Sequence, residues 1–546
     1  MRRQAAFKTA SGCFVYPRHQ TAVRPPALLY HQRVRYSHHG PAQQSEPPLP
    51  AAGGPSAAPG STRPYATLNS SIPFTNAPTS PPLSILPLST IMRSLLVTTI
   101  SSSPLLFSPS LAFLSVVANP ESTFLNPDRN PVLKLIMEQT LYAQFCAGET
   151  PAQVKVNIQK LKELGYSGVI LGYAREIVMN ESEIRALGTA SDAAGGAESK
   201  AQAIADITAW KDGTLATVDL ADDGDFVALK FTGAGKGSVQ QLLRRSAPSP
   251  ALKEAIIEIC ERAKARNVRL LIDAEQQAVQ PAIDDWTIEF QRMYNKGPDQ
   301  RAVVYGTYQA YLRSTPATLS RHIAIAEAEG FVLGVKLVRG AYLGTEPRHL
   351  IWDTKVETDN TYDGIAESLI KREYGDVLKP HSPSPPPPSP SPSPSPSPSP
   401  SPSPSTSTST GRTTSTGHPP FSKVNLVLAS HNRVSVERAR KLRNQQHRTT
   451  GSHQIELAYG QLSGMADDIS CELVHAAKAV REQQAEGVMV EVEAPKAYKY
   501  LVWGTVSECA RYLVRRAQEN REAASRTEDT RKAMAKELRR RLVGGT

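Results

Sequence analysis

Eight short apolar runs, alternating with helical patterns, constrain the fold of this 546-residue chain more than any other feature. They are SGVILGY (167–173), DFVALKFTGAG (225–235), VRLLIDAEQ (268–276), AVVYGTYQAYL (302–312), FVLGVKLVRGAY (331–342), VNLVLASHN (424–432), IELAYGQLSG (455–464) and KAYKYLVWG (496–504). Near-continuous apolar strands with helices between them are parallel and covered on both faces. The helices announce themselves. Thr150-Pro151, Ser249-Pro250 and Thr315-Pro316 pair a capping hydroxyl with a proline suited to the first turn. Val154, Ile158 and Leu161, then Leu252, Ile256 and Ile259, then Leu319 and Ile323 give inward stripes, and Gly165 and Gly330 end the first and third helices. Eight such units predict an α/β chain closed into a distorted (β/α)8 barrel. A doubly wound open sheet is the alternative, but no G-x-G-x-x-G follows any strand, which weakens its dinucleotide-binding version. Gly233-Ala-Gly-Lys-Gly-Ser238 lacks the GK[ST] ending of a phosphate loop and reads as a strand-to-helix turn.

The polar residues at the ends of these runs then acquire a common place. Lys230, Asp273, Glu275, Gln309, Lys336, Arg339, His431, Gln461 and Tyr500 all fall at or just past strand C-termini, which in a barrel form the one mouth where chemistry sits. The last unit adds a helix on which Tyr512, Arg515, Arg516 and Glu519 share a face. Two guanidiniums beside a phenol suit a small carboxylate, because Arg offers planar, paired donors. The same spacing also fits an exposed Arg515–Glu519 ion pair worth only ~0.3–0.5 kcal/mol. The mouth-lining set around it favours the binding reading.

Charge and composition place the remaining segments. Residues 1–45 hold seven Lys/Arg and no acid, and 511–541 hold eleven Lys/Arg against five acids. The rest of the +11 chain is therefore near neutral, and no nucleic-acid surface is expected. The Arg-, Ser- and Ala-rich start, 1–45, has the composition of a mitochondrial transit peptide, and 46–83 of a disordered linker. Residues 84–145 are expected to form a helical arm. Its apolar part, 84–118, carries Arg93, Pro104 and Pro109, which break any uncharged run of the ~20 residues a bilayer span needs. It is read as amphipathic pieces that either lie on a membrane or pack on the main domain. Residues 146–546 are expected to be the barrel, interrupted by a low-complexity Ser/Pro insert at 381–420 that cannot pack a core. The fold expected is thus a barrel with an N-terminal helical arm and disordered tails. The five cysteines include no CxxC pair, so neither a zinc site nor any other metal site is expected.

The stretches ALKFTGAG, LLIDAEQ, TYQAYLRSTP, VKLVRGAY, LASHN, GQLSGM and YKYLVWG…YLVRRAQEN occur in the order found in proline dehydrogenases, and the chain resembles the fungal mitochondrial form of that family across roughly 140–545. The resemblance implies a distorted barrel holding FAD at its C-terminal mouth. The implied activity is oxidation of L-proline to 1-pyrroline-5-carboxylate, the first step of proline catabolism, with electrons passed to ubiquinone at the matrix side of the inner mitochondrial membrane.

It further implies that Arg515, Arg516 and Lys230 clamp the substrate carboxylate, that Tyr500, Tyr512 and Leu462 wall its ring, and that Asp273 helps order the site. Gln309 and Ala274 match cofactor contacts, Arg339, Gly340 and Ala341 the segment along the FAD phosphates, and Ser430 and His431 a flavin-binding Thr-His pair in which Ser keeps the hydroxyl. Lys336 stands where bacterial relatives have Arg near the flavin ring, keeping the charge but losing the planar fork. Asp273 and Lys336 are the expected catalytic residues; no general base is identifiable. A hydroxyproline dehydrogenase of the same family is one rival, distinguished only by the ring wall near Tyr512 and Leu462. A non-catalytic membrane scaffold is the other.

Overall fold

In the computed structural model the described residues are 81–118, 123–175, 177, 179, 181–189, 197–381, 420–450, 455–522 and 524–544. The chain divides into two units, Met1–Pro73 and Phe74–Thr546, and every described residue belongs to the second. The expected transit peptide, most of the linker and nearly all of the Ser/Pro insert lie outside the described residues.

The barrel strands come where the apolar runs lie: β2 (Gly168–Tyr173), β3 (Phe226–Leu229), β4 (Arg269–Ile272), β5 (Val304–Gln309), β6 (Leu333–Val338), β7 (Val424–Ala429), β8 (Glu456–Leu462) and β9 (Lys496–Trp503). Each pairs in parallel with the next, and β9 pairs with β2 and β8, so the sheet closes. The closed (β/α)8 barrel is as expected, and the open sheet is excluded. One strand was not foreseen. β1 (Cys146–Gly148) pairs with Val502 and Trp503 of β9, just above Leu462↔Tyr500, where the pairing of β8 with β9 ends. β9 is longer than β8, and its last rungs leave backbone groups for a short extra strand to take.

Around the sheet run α5 (Pro151–Glu163), α6 (Glu181–Thr189), α7 (Ala197–Leu220), α8 (Lys236–Leu243), α9 (Pro250–Ala265), α10 (Gln280–Tyr294), α11 (Thr315–Glu329), α12 (Lys355–Lys371), α13 (Arg433–Thr450) and α14 (Asp467–Ala485). Thr150 builds a capping box with Gln153, and Ser249 caps Leu252. Thr315 differs from the expectation: its hydroxyl donates to the Gln309 carbonyl, and Ser314 stands at the cap position. Arg433–Thr450 forms a helix with few apolar residues to stripe it. Ion pairs support it, among them buried Arg443 bound through two nitrogens to Glu493.

The base of the barrel is filled rather than open. Phe226 meets Tyr305 and Tyr498 edge-on, and the buried Arg269 guanidinium lies 3.8 Å from the Phe226 ring centre while binding Glu456. Polar chemistry is thereby left to the opposite end.

Before the barrel comes the arm: α1 (Leu88–Ser102), α2 (Pro104–Ala118), α3 (Pro131–Met137), a π-helical turn (Glu138–Tyr142) and α4 (Ala143–Phe145). Pro104 opens α2, which is bent by 101° from α1, and Pro109 is carried inside α2. Among the described residues no single helix is long and apolar enough to cross a membrane. After the barrel, α15 (Val506–Glu522) packs on α1, α2 and the π-helical turn, and α16 (Ala524–Val543) packs on α1 and α14.

Candidate active site

Asp273 follows β4, and three neighbours from three other strands converge on it. Lys230, after β3, donates to Oδ2 at 2.6 Å; Lys336, in β6, donates to Oδ1 at 2.6 Å; and the Tyr500 hydroxyl, in β9, donates to Oδ2 at 3.0 Å. The Lys336 ammonium also stands 5.4 Å from the centre of the Tyr500 ring. Burial penalises the Asp273 carboxylate, but the two ammoniums outweigh it and hold its pKa well below the ordinary range. Burial pulls the Lys336 ammonium the other way, lowering its pKa, and Asp273 opposes that pull. The Tyr500 phenol is pushed far up by burial and by the same carboxylate, so it stays protonated. A carboxylate this acidic and this fully engaged is a poor proton acceptor. Its role is to fix two cations and a phenol at the mouth.

Glu275 shares the loop but serves behind it. It accepts from the Thr232 amide at 3.2 Å and from the Thr232 hydroxyl, which ties the β3 turn to the β4 turn. Gln280 steadies the same loop, accepting from the Glu275 amide at 2.8 Å and donating to Asp284 at 2.7 Å. Gln276 exchanges a pair of hydrogen bonds with the Met179 backbone. The sequence carries no signal for Thr232 or Gln276, whose partners lie 43 and 97 positions away, and Gln280 serves only its own loop and helix.

Lys336 of β6 and Arg339, just past its end, point in different directions. Lys336 points into the mouth. Arg339 turns to the rim, where its three nitrogens bind Asp359 at 2.9 Å, Ser430 at 2.6 Å and Ser435 at 2.8 Å, and its plane lies 4.3 Å from the Tyr362 ring centre. Gln309 bridges neighbouring loops, donating to the Glu275 carbonyl at 3.3 Å and accepting from the Ala341 amide at 3.1 Å. Gly340 has φ 147°, and a Cβ there would come within 2.3 Å of the Tyr311 ring. His431 accepts from the Leu462 amide at 3.0 Å through Nε2, joining the expected flavin-side pair to the expected ring wall. Ala274 is buried beside Asp273.

α15 supplies the rest. Tyr512 and Arg516 are both buried, with the Arg516 guanidinium 5.1 Å from the Tyr512 ring centre. Tyr512 and Tyr500 pack in one apolar cluster with Val502 and Met465, so α15 meets the mouth on the Tyr500 side. Arg515 lies on the same face of the helix, one position before Arg516. Behind the Leu462 loop, Lys499 and Asp467 form a buried ion pair at 2.7 Å, and Lys499 also donates to the Met465 carbonyl at 3.1 Å. This pair escaped the sequence reading because Lys499, neighbouring Tyr500, points away from the mouth.

The family model described as Proline dehydrogenase matches residues 154–529. The chain belongs to the proline dehydrogenase family. It is 30% identical over 446 residues to "Probable proline dehydrogenase, mitochondrial" of Schizosaccharomyces pombe, covering 74% of this chain and 80% of that one. A rat relative bears the name "Hydroxyproline dehydrogenase" and is 24% identical over 75% of this chain and 84% of its own length. Among solved structures, proline utilization A from Bdellovibrio bacteriovorus aligns with TM-score 0.49 and 15% identity, over 78% of this chain and 38% of that longer one. The family is one of oxidoreductases.

Proposed function

We propose that this chain oxidises L-proline to 1-pyrroline-5-carboxylate with FAD held at the barrel mouth, and delivers the electrons to ubiquinone at the matrix side of the inner mitochondrial membrane. The single observation that carries this reading is the three-way grip of Asp273 on Lys230, Lys336 and Tyr500, with the Arg516–Tyr512 stack packed beside Tyr500. A zwitterionic amino acid needs cations for its carboxylate and a dry wall for its ring. Lys230, Arg515 and Arg516 offer the first, and Tyr500, Tyr512 and Leu462 the second.

The rim suits a flavin dinucleotide. Arg339, set among the Ser430 and Ser435 hydroxyls, has the donor chemistry a pyrophosphate requires. Gly340 presents bare backbone where a side chain would collide with Tyr311. Gln309, Ala274, Ala341 and His431 would hold the remainder. When bound, FAD supplies the two-electron acceptor for the hydride leaving the ring carbon beside nitrogen. Lys336, paired with Asp273, would offer positive charge to the reduced cofactor. The proline nitrogen must be unprotonated to release hydride, so turnover rises with pH. Asp273 and Lys336 thus act by position and charge rather than by taking a proton.

The mitochondrial address rests on the composition of 1–45 and on the name of the fission yeast relative. The rat relative favours hydroxyproline as a second substrate reading. The buried Tyr512 argues for proline, because a phenol at the ring wall leaves less room for a ring hydroxyl.

The test is anaerobic addition of L-proline to the purified full chain with FAD, followed by visible spectroscopy. Bleaching of the flavin band by L-proline and not by D-proline is expected. Bleaching by hydroxyproline alone would favour the second reading. A folded protein that takes up no flavin would return the scaffold reading.

A further inference from the structure

Eleven of the twenty-one exposed large apolar side chains among the described residues lie between Leu88 and Ile136, in the arm. On α1 they form a stripe, Leu88, Met92 and Leu96, and beyond it stand Leu105 at 87% exposure and Phe124 at 74%. Between 81 and 120 Arg93 is the one charged residue. A surface this apolar and this concentrated is an interaction site rather than scattered exposure.

α16 lies alongside α1 and sorts its cations into two groups. Arg540 and Arg541 turn inward. Both bind the buried Glu537, and Arg541 also donates to the carbonyls of Leu83, Ser84 and Leu86, fastening the start of the arm. Lys532, Lys536 and Arg539 face outward at i, i+4 and i+7, and exposed Val543, at i+11, continues that side. Lys532 is shared with Glu528 at 3.0 Å; Lys536 and Arg539 have no ion-pair partner among the described residues.

We propose that α16 and the arm form one docking surface for an anionic phospholipid bilayer, in which the α1–α3 face enters the apolar boundary and Lys532, Lys536 and Arg539 bind headgroup phosphates. The inference rests on the reading that the arm meets a membrane, and adds which lipid is selected and by which residues. Apolar side chains alone would not distinguish lipids. The neighbouring row of cations adds the charge complementarity that a negatively charged leaflet rewards, roughly fivefold in affinity per Lys or Arg. A second protein copy is a poorer fit, since the same row on both partners would repel.

The test is co-sedimentation of the full-length flavoprotein with phosphatidylcholine vesicles, with and without phosphatidylglycerol. The wild-type chain is expected to prefer anionic vesicles and to lose that preference as salt rises. Lys532→Gln/Lys536→Gln/Arg539→Gln is expected to weaken anionic binding about a hundredfold and to leave neutral-vesicle binding and dye-linked turnover unchanged. Leu88→Ser/Met92→Ser/Leu96→Ser is expected to weaken both kinds of binding. If the charge variant binds anionic vesicles like the wild type while the arm variant does not, lipid selection by α16 is wrong and the arm reading survives. If the wild type binds no vesicle, and the arm variant instead splits a dimer, the surface belongs to a second copy and both readings fall.

Discussion

Replacing Asp273 with Asn keeps the shape of the residue and removes its charge. In the folded protein that takes from Lys230 and Lys336 a carboxylate 2.6 Å from each, and leaves the buried Lys336 ammonium without this counter-charge. Breaking one side of a buried ion pair costs about 3–5 kcal/mol, or about 6–10 °C at ~2 °C per kcal/mol for a large chain. Lys336→Met alone should cost less, because Asp273 keeps Lys230 and Tyr500. The double variant removes one stranded cation together with the carboxylate, so its loss should fall short of the sum by about 1–3 kcal/mol.

The assay is thermal and denaturant unfolding of all four proteins, flavin-loaded and flavin-free. Additivity within about 0.5 kcal/mol would refute the argument that these groups depend on one another. The pH dependence adds a second check. The folded pKa of Asp273 lies below the unfolded value of about 3.9, so its contribution is fully present above that value and is lost as pH falls toward the folded pKa. The gap between the wild type and Asp273→Asn should be flat from about pH 8 to 5 and narrow below about pH 4.

Three further substitutions address other parts of the site. Arg516→Met removes a buried, stacked guanidinium and should raise KM for L-proline roughly 10- to 150-fold, the worth of a charge-assisted hydrogen bond of about 1.5–3 kcal/mol, with a smaller change in kcat. Gly340→Ala forces a Cβ onto the Tyr311 ring at a positive φ. It should lose about 1–3 kcal/mol and weaken FAD retention measured by ultrafiltration, whereas Gly344→Ala, with nothing within 4 Å, should behave as wild type. Lys499→Met strands the Asp467 carboxylate in the interior and should destabilise by about 3–5 kcal/mol in denaturant titration, with part of the loss recovered in Lys499→Met/Asp467→Asn.

The strands were legible because each is buried on both faces, so burial itself writes an apolar run bounded by polar residues. β1 was not, because Cys146-Ala-Gly148 has no run to read; its place depends on β9 outlasting β8. The mouth was legible to the same extent. Lys230, Asp273, Lys336 and Tyr500 stand at strand ends, and the geometry brings them to one carboxylate. The residues that hold them were not. Ser435 sits in the first turn of α13 and Asp359 in the second turn of α12, where polar residues are ordinary, and their selection by Arg339 depends on how those helices lie across the sheet. The cysteines illustrate the same limit. Cys146 and Cys509, 363 positions apart, share one apolar cluster with no pattern to foretell it.

That cluster also explains why the arm and α15 are best regarded as one body. Val97, Leu114 and Val117 of the arm pack with Val506, Cys509 and Leu513, on the side of α15 behind Tyr512. Polar contacts pin the ends. The Tyr142 hydroxyl donates to the Gly504 carbonyl at 2.6 Å, and Asp128 accepts from the Ser507 amide at 3.3 Å at the start of α15. The helix that carries Arg515 and Arg516 is therefore held from two sides, by Tyr500, Val502 and Met465 of the barrel and by α1, α2 and the π-helical turn. A barrel cut at the first full strand would keep Asp273 and its two lysines but lose one of the two sides that position the arginines. The two halves of the expected carboxylate clamp come from separate elements, the strand ends and α15, and the arm packs the outer side of the second.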